Sequence, residues 1–411
     1  MQKFEKHSPV VVTEVTTKHE LRQFMQYPNR LYADNPNYIP SFYGDDLSDW
    51  TPGKNPAFDY CEARCWLARR DGEIVGRIGA ILSHKANDKF GTHRMRFSQV
   101  DFVDDSEVSA ALFGTVERWA REKGCDQVHG PLGFTDMDRE GMLVEGFDRR
   151  SLFFTNYNAP YYLEHLTRLG YRKDVDWIEY RITVPEPGGA EAERLHKLSE
   201  FILKRKHLHV ATVHHKSEYG PFVRQVFELV NAAYAPLYGV VELSDEQIER
   251  YANKFIPLVD PDFVCFVVDE QDQLVAFGVT ALDPSVALKH SDGRLFPFGW
   301  AGVLNDLHHS DTLIMLLTAV RPDLQAEGIN AVMMDHVCQS CNRHGVRFAE
   351  TGPMLELNDH ILAQWKRLEK EQHKRRRCFI KDLDHGINAA NAAAAAQAEA
   401  PEAAPAAESA E

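Results

Sequence analysis

The chain has 411 residues, with 46 Lys and Arg against 61 Asp and Glu, a formal net charge of −15, and 44% hydrophobic residues. That length is too great for one small core and suits two domains of about 180 residues each. The acidic balance argues against a nucleic-acid-binding protein, which ordinarily shows a basic face, so no nucleic acid is expected as a partner. No apolar run approaches the ~18 residues of a membrane span. The start, MQKFEKHSPVVV, lacks the apolar core of a secretory signal. Seven cysteines, an odd number, do not read as a disulfide framework. Together these features predict a cytoplasmic protein.

Leu21, Phe24 and Met25 sit at helical spacing, and the Pro-, Asn- and Tyr-rich stretch to Asp46 then reads as an ordered loop with aromatic anchors. Phe42, Tyr43 and Trp50 are candidates there for an apolar lid. CEARCWLARR and EIVGRIGAIL flank Asp71-Gly72, a strong hairpin signal. Phe97–Val103 reads as a strand. Val108, Leu112, Val116 and Trp119 then mark a helix over 107–123, capped near Asp105 and ended by Gly124. A short strand at 125–129 stops at Gly130-Pro131. A helix is predicted over 158–169 and a strand over 177–184.

Pro185, Pro187, Gly188 and Gly189 mark a change in composition, and the domain boundary is placed there. The second half repeats the order of the first. It has helices over 221–234 and 245–255, a hairpin of 263–269 with 274–282, a strand over 313–320, a helix over 331–344, a strand over 346–350, a helix over 359–368 and a strand over 375–380. GEIVGRIGAIL matches DQLVAFGVTAL, and GCDQVHGPL matches GVRFAETGPML. A period of about 190 residues reads as a domain duplication. The Ala-rich tail, 386–411, is of low complexity and is expected to be disordered.

Between the strand LIMLLTAV and its helix, the chain reads Val320, Pro322, Gln325, Gly328 and Asn330 at the spacing V-x-P-x-x-Q-x-x-G-x-N. This resembles the pyrophosphate loop of the GCN5-related N-acetyltransferases (GNATs), with Asn330 where that family usually has Gly or Ala. Strand, turn and helix N-terminus is also a geometry that favours anions. Further blocks of sequence are more specific. NPAFDY, LARRDGEIVGRIGAIL, WAREKGCDQVHGPL, EGMLVEGFDRR and YNAPYYLEHLTRLGY together resemble the YghO-like, or bacterial ceramide synthase-like, family over 20–383.

The resemblance implies an α/β fold of two tandem GNAT-type domains, each a mixed, mostly antiparallel sheet flanked by helices. The N-terminal domain would be 1–184 on the acceptor side, followed by a linker over 185–200 and a C-terminal, CoA-binding domain over 201–385. It also implies an acyl-CoA-dependent N-acyltransferase acting on a long-chain, sphingoid-like amine. Acyl-CoA would be the co-substrate, no metal is expected, and a lipid acceptor calls for peripheral membrane contact. Rival readings are an acetyl-CoA enzyme for a small polar amine, an aminoacyl-tRNA-dependent ligase, and a degenerate, non-catalytic GNAT binding protein.

CoA is assigned to the C-terminal unit, because QVDFVDDSEVSAALF has no glycine at the matching place and its acids would repel a pyrophosphate. The CoA residues implied are Thr318, Val320, Gln325, Ala326, Glu327, Gly328, Ile329, Asn330 and Asn358. Acyl transfer to an amine needs a base and a proton donor for the thiolate. Glu350 and Glu356 are candidates for the base. Trp365 stands where the family places the donor Tyr, so Tyr161 and Tyr162 are candidates for that role. Asp136, Asp138 and Glu140 lack the remaining ligands of a calcium loop and fit an acceptor site better. His336, Cys338, Cys341 and His344 have ligand chemistry but lie inside a helix, where such cysteines are more often buried small side chains. Lys204–Lys206 and Lys374–Arg377 are candidate basic surfaces for CoA phosphates or anionic lipid.

Overall fold

The structure, a computed structural model, describes residues 8–383, and the Ala-rich tail lies outside them. In the N-terminal half the elements are β1 (Val11–Glu14), α1 (Lys18–Leu31), α2 (Tyr43–Asp49), β2 (Cys61–Arg70), β3 (Glu73–Ser83), α3 (His84–Phe90), β4 (Arg94–Phe102), α4 (Ser106–Glu122), β5 (Gln127–Gly130), β6 (Met142–Glu145), α5 (Tyr161–Arg168) and β7 (Arg172–Thr183). The C-terminal half follows with α6 (Ala190–Lys206), β8 (His209–Val210), α7 (Gly220–Tyr234), α8 (Asp245–Phe255), β9 (Val264–Val268), β10 (Leu274–Leu282), α9 (Ser285–His290) and α10 (Gly299–His309). It closes with β11 (Thr312–Val320), α11 (Asn330–His344), β12 (Phe348–Glu350), β13 (Met354–Leu355), α12 (Asp359–Ala363) and β14 (Lys370–Asp382).

Local chemistry accounts for many of these bounds. Asp71 and Gly72 both have positive φ, 52° and 85°, as a two-residue turn between twisted strands requires. Thr17 with Glu20, and Ser244 with Gln247, form capping boxes that satisfy the first N–H groups of α1 and α8. The stretch read as a linker is a turn only as far as Gly189. Beyond it, α6 buries Leu195, Ser199 and Ile202, an i, i+4, i+7 stripe. The helix expected over 359–368 stops at Ala363. Trp365 is buried just beyond it, with its indole N–H directed at Met354 Sδ 3.2 Å away.

All strands join one sheet in the order β1-β2-β3-β4-β5-β14-β7-β12-β11-β10-β9-β8, with β6 on β14 and β13 on β7. Among the described residues only β4–β5 and β11–β12 pair in parallel. The two halves exchange their last strands. β7 pairs with β12, and β14 pairs with β5, so β7 and β14 meet at the middle of the sheet.

This seam is charged. Lys374, Arg376 and Glu179 are fully buried there, with Lys374 Nζ 3.3 Å from Glu179 and 3.2 Å from Glu350, and Arg376 Nε 2.5 Å from Glu179. Arg375 and Arg377 both pair with Asp176. The Lys374–Arg377 run is therefore an internal ion-pair network, which corrects its reading as a basic surface. Phe42 and Trp50 are likewise buried and form no lid.

Candidate active site

β11 and β12 pair only over Thr312–Ile314 with Phe348–Glu350. β12 then ends, while β11 continues to Val320 with β10 alone beside it. The sheet opens as a wedge along one edge of β11. Within that stretch Val279 faces Leu317 and Thr280 faces Met315, so Leu316 is an extra residue on β11 without a cross-strand partner. A bulge of this kind re-aims backbone groups, and donors in a water-poor wedge polarise a carbonyl strongly.

Two apolar cavities reach the wedge from opposite faces of the sheet. One, of about 180 Å³, lies toward α11 and α12, with walls that include Met315, Thr318, Met333, Val337 and Trp365. The other, of about 230 Å³, lies under α7 and α8, with walls that include Phe227, Phe255, Val264 and Phe266. Tyr234, Val279, Leu316, Leu317, Gly352 and Pro353 line both, so the cavities meet at the bulge.

The loop from Val320 to Asn330 flanks the first cavity. Ala326 and Gly328 have left-handed φ of 63° and 85°, and Gln325 Nε2 donates to the Val320 carbonyl. Ile329 is buried, and Asn330 opens α11 and lines the first cavity. The C-terminal end of α6 stands beside this loop, with Lys206 Nζ 2.7 Å from Glu327. Of the two basic runs singled out in the sequence, Lys204–Lys206 is the one that reaches the phosphate-like loop.

The second cavity holds the acids. Asp138 accepts from the N–H groups of Phe134 and Thr135 at 2.8 and 3.2 Å and from the Tyr251 hydroxyl, so it builds its own turn. Asp136 and Glu140 line the cavity and, among the described residues, bond to no other side chain. Burial, and then the charge of Asp138, raise Asp136 to about 6. Burial and the Asp136 charge push Glu140 well above the usual carboxylate range. Tyr234 lies between the cavities and donates to the Thr318 carbonyl at 2.7 Å. Burial, then the Asp136 charge, raise its pKa.

The other expected residues lie elsewhere. Glu350 is bound to Lys374. Glu356 pairs with Lys173 and with Arg375. Asn358 caps α12 through the Ile361 N–H. None of the three lines either cavity. Tyr161 and Tyr162 belong to the N-terminal core. The Tyr162 hydroxyl accepts from Phe102 N at 2.8 Å and contacts the Tyr32 hydroxyl at 2.9 Å, and Tyr161 donates to the Phe102 carbonyl.

Those tyrosines explain a difference between the halves. β4 also bulges, with Gln99 and Val100 opposite Ile78, and it pairs with β5 only over Arg94–Arg96. Past that point Leu132 N–H bonds the Phe97 carbonyl, and Tyr161 and Tyr162 take up the Phe102 backbone. The N-terminal wedge is thus closed by the chain itself.

Cys338 and Cys341 line the first cavity, and burial raises their thiols to about 11 and about 12. His129, Asp174 and Cys378 bring ligand atoms within 4.8 Å of one another. The Tyr238 hydroxyl contacts all three, at 2.9, 2.5 and 3.5 Å, and makes them a hydrogen-bonded cluster. Asp136 carries a weak sequence signal, a run of acids before a glycine. Tyr234 and the Leu316 bulge carry none, since one looks like a helix-end aromatic and the other like part of an apolar strand.

This is the fold of a tandem GNAT protein. No profile of a known protein family matches the chain. The sequence is similar to protein YghO of Escherichia coli (strain K12), 27% identical over 379 residues, covering 91% of this chain and 95% of that one. It is also similar to the bacterial ceramide synthase of Caulobacter vibrioides, 28% identical over 300 residues, covering 71% and 75%. Among solved structures, a tandem GNAT protein from the clavulanic acid biosynthesis pathway superimposes with TM-score 0.52 at 14% identity, over 91% of this chain and 99% of that one. A GCN5-related N-acetyltransferase from Sphaerobacter thermophilus gives 0.50 at 13%, over 92% and 97%. Among the described residues no helix is long and apolar enough to cross a membrane.

Proposed function

We propose that this protein is an acyl-CoA-dependent N-acyltransferase that acylates a long-chain amine. The observation carrying this reading is the meeting of two apolar cavities at the Leu316 bulge, one beside a phosphate-like loop and the other holding uncommitted acids. The C-terminal half, 201–385, takes the CoA ester, and the N-terminal half, 1–184, brings Asp136 to the acceptor cavity. The Gln325–Asn330 loop, the α11 N-terminus and Lys206 receive the phosphates. The pantetheine arm runs along the open edge of β11 past Thr318 and places the thioester carbonyl at the bulge.

The amine enters from the second cavity. The neutral amine nitrogen attacks the thioester carbon as Asp136 takes the one proton it loses, and the C–S bond breaks as the amide C–N bond forms. Tyr234 gives its proton to the departing thiolate and recovers one from solvent, as Asp136 releases one. The similarity to a ceramide synthase favours a sphingoid amine, and the aromatic walls of the second cavity favour an apolar chain over a small polar amine. The closed N-terminal wedge supports a single CoA site.

Thiol release tests this. Acetyl-CoA or palmitoyl-CoA is supplied with sphinganine, 3-ketosphinganine or a polyamine, and the products are weighed by mass spectrometry. Turnover with the long acyl donor and a sphingoid amine alone is the expected result. Turnover with acetyl-CoA and a polyamine would replace the lipid reading. CoA binding without any turnover would leave a binding protein.

A further inference from the structure

Between β10 and β11 the C-terminal half carries an insertion made of α9, α10 and the loop joining them. One side of it is firmly packed. Leu288, Val303 and Leu307 bury against Ile314 of β11 in a cluster that also holds Phe153. Asp306 caps α9 through the Ala287 N–H at 2.8 Å, and Gly293 accepts from Tyr43 N–H. The opposite side is apolar and exposed. Phe296 and Phe298 are each 80% exposed, and Val286, Trp300 and Leu304 about half. Large apolar side chains left in water on a rigid support mark an interaction surface.

We infer that this surface inserts shallowly into a lipid bilayer and sets the acceptor cavity against the membrane. Three observations select a bilayer over another protein face. First, residues 295–305, LFPFGWAGVLN, contain no charged side chain, in a chain of net charge −15. Phe and Trp on a neutral amphipathic segment are suited to the headgroup–acyl boundary. Second, Phe296 and Phe298 project from a loop, which suits a soft phase better than a flat partner. Third, the cluster that anchors α10 also contains Phe154 and Leu316, and both line the second cavity. The neighbouring cations are already engaged, Lys289 with the Asn35 carbonyl and Arg294 over the Tyr43 ring. Attachment is therefore apolar and needs no anionic lipid. The reason for docking rests on the lipid-acceptor reading above; the docking itself is measured without catalysis.

The full-length protein is sedimented with phosphatidylcholine vesicles, with and without phosphatidylglycerol, at low and high salt. Binding to phosphatidylcholine that persists in high salt is expected, with Trp300 quenched by brominated acyl chains. Phe296→Ser combined with Phe298→Ser and Trp300→Ser is expected to lower the partition coefficient by about tenfold or more. That variant should retain its melting temperature and its turnover of detergent-dispersed amine. Equal vesicle binding by variant and wild type would overturn the inference. So would binding that appears only with phosphatidylglycerol and vanishes in salt, or a dimer that the triple substitution dissociates while vesicles are ignored. Vesicle binding in a protein that acylates no long-chain amine would support the surface and remove the acceptor reading alone.

Discussion

A Cβ atom on Gly328 would stand 3.0 Å from Cδ1 of Ile202, which α6 places against the turn before α11. Gly328 is also left-handed, with φ of 85°. Gly328→Ala thus meets both a steric contact and a backbone cost of about 1–2 kcal/mol. We expect a modest fall in melting temperature and a loss of CoA affinity of about tenfold or more by titration calorimetry, because the N–H groups of the loop shift together. Ile202→Ala in the same protein relieves the contact but empties a buried site at a cost of about 2–5 kcal/mol, so it should lower stability further and leave the φ cost in place. An unchanged CoA affinity in Gly328→Ala would remove the loop from the site.

Asp136 links activity to pH. Its folded pKa, about 6, is raised above that of an unfolded carboxylate near 4. As a base it works ionised, so kcat/KM should rise with pH through an acid limb near 6. That limb belongs to Asp136 and Glu140 jointly, since the two acids interact. The stability effect has the opposite sense. A raised carboxylate favours folding while protonated, and that advantage is lost as pH rises from about 4 to 6. Asp136→Asn should therefore be more stable than wild type above pH 6, by on the order of 2 kcal/mol after allowance for partial exposure, and equal to it near pH 4. Its kcat/KM should fall by about 10²–10⁴. Urea titrations and pH–rate profiles on the same two proteins separate these effects.

The sequence made the local elements legible and left their long-range pairing hidden. Asp71-Gly72 demands a tight turn wherever it occurs, and Ser244-x-x-Gln247 caps a helix in any fold. β7 and β14, by contrast, would read identically whether each closed its own half or crossed to the other. Their exchange turned the Lys374–Arg377 run from a surface into a seam, and it committed Glu350 to Lys374. The bulge at Leu316 is invisible in LIMLLTAV because one extra residue leaves the apolar run intact. Helix α6 was hidden behind the Pro- and Gly-rich turn before it, although Leu195, Ser199 and Ile202 already carried its stripe.

The seam makes a stability prediction that also tests Glu350. Lys374→Met leaves Glu350 without its cation and Glu179 with Arg376 alone. Truncating one partner of a buried charge network costs about 3–5 kcal/mol, to be read from the urea midpoint. Glu350→Gln keeps a hydrogen-bond acceptor beside Lys374 and should leave kcat within about threefold of wild type, because Glu350 lines neither cavity. A fall of a hundredfold or more in kcat, with the fold intact, would restore Glu350 as the base.

Tyr234 is the sharpest test of the chemistry. Its hydroxyl is bonded to the Thr318 carbonyl at the open edge of β11, and its ring lines both cavities. Tyr234→Phe keeps that ring and removes the proton, at a stability cost of about 1 kcal/mol for one hydrogen bond. If Tyr234 protonates the thiolate, kcat should fall by about a hundredfold while KM for both substrates stays near wild type. An aryl thioester, whose thiolate departs without a proton, should then be turned over by variant and wild type at similar rates. If the variant instead loses the aryl and the CoA substrates equally, Tyr234 is a wall of the site, and the thiolate takes its proton from water.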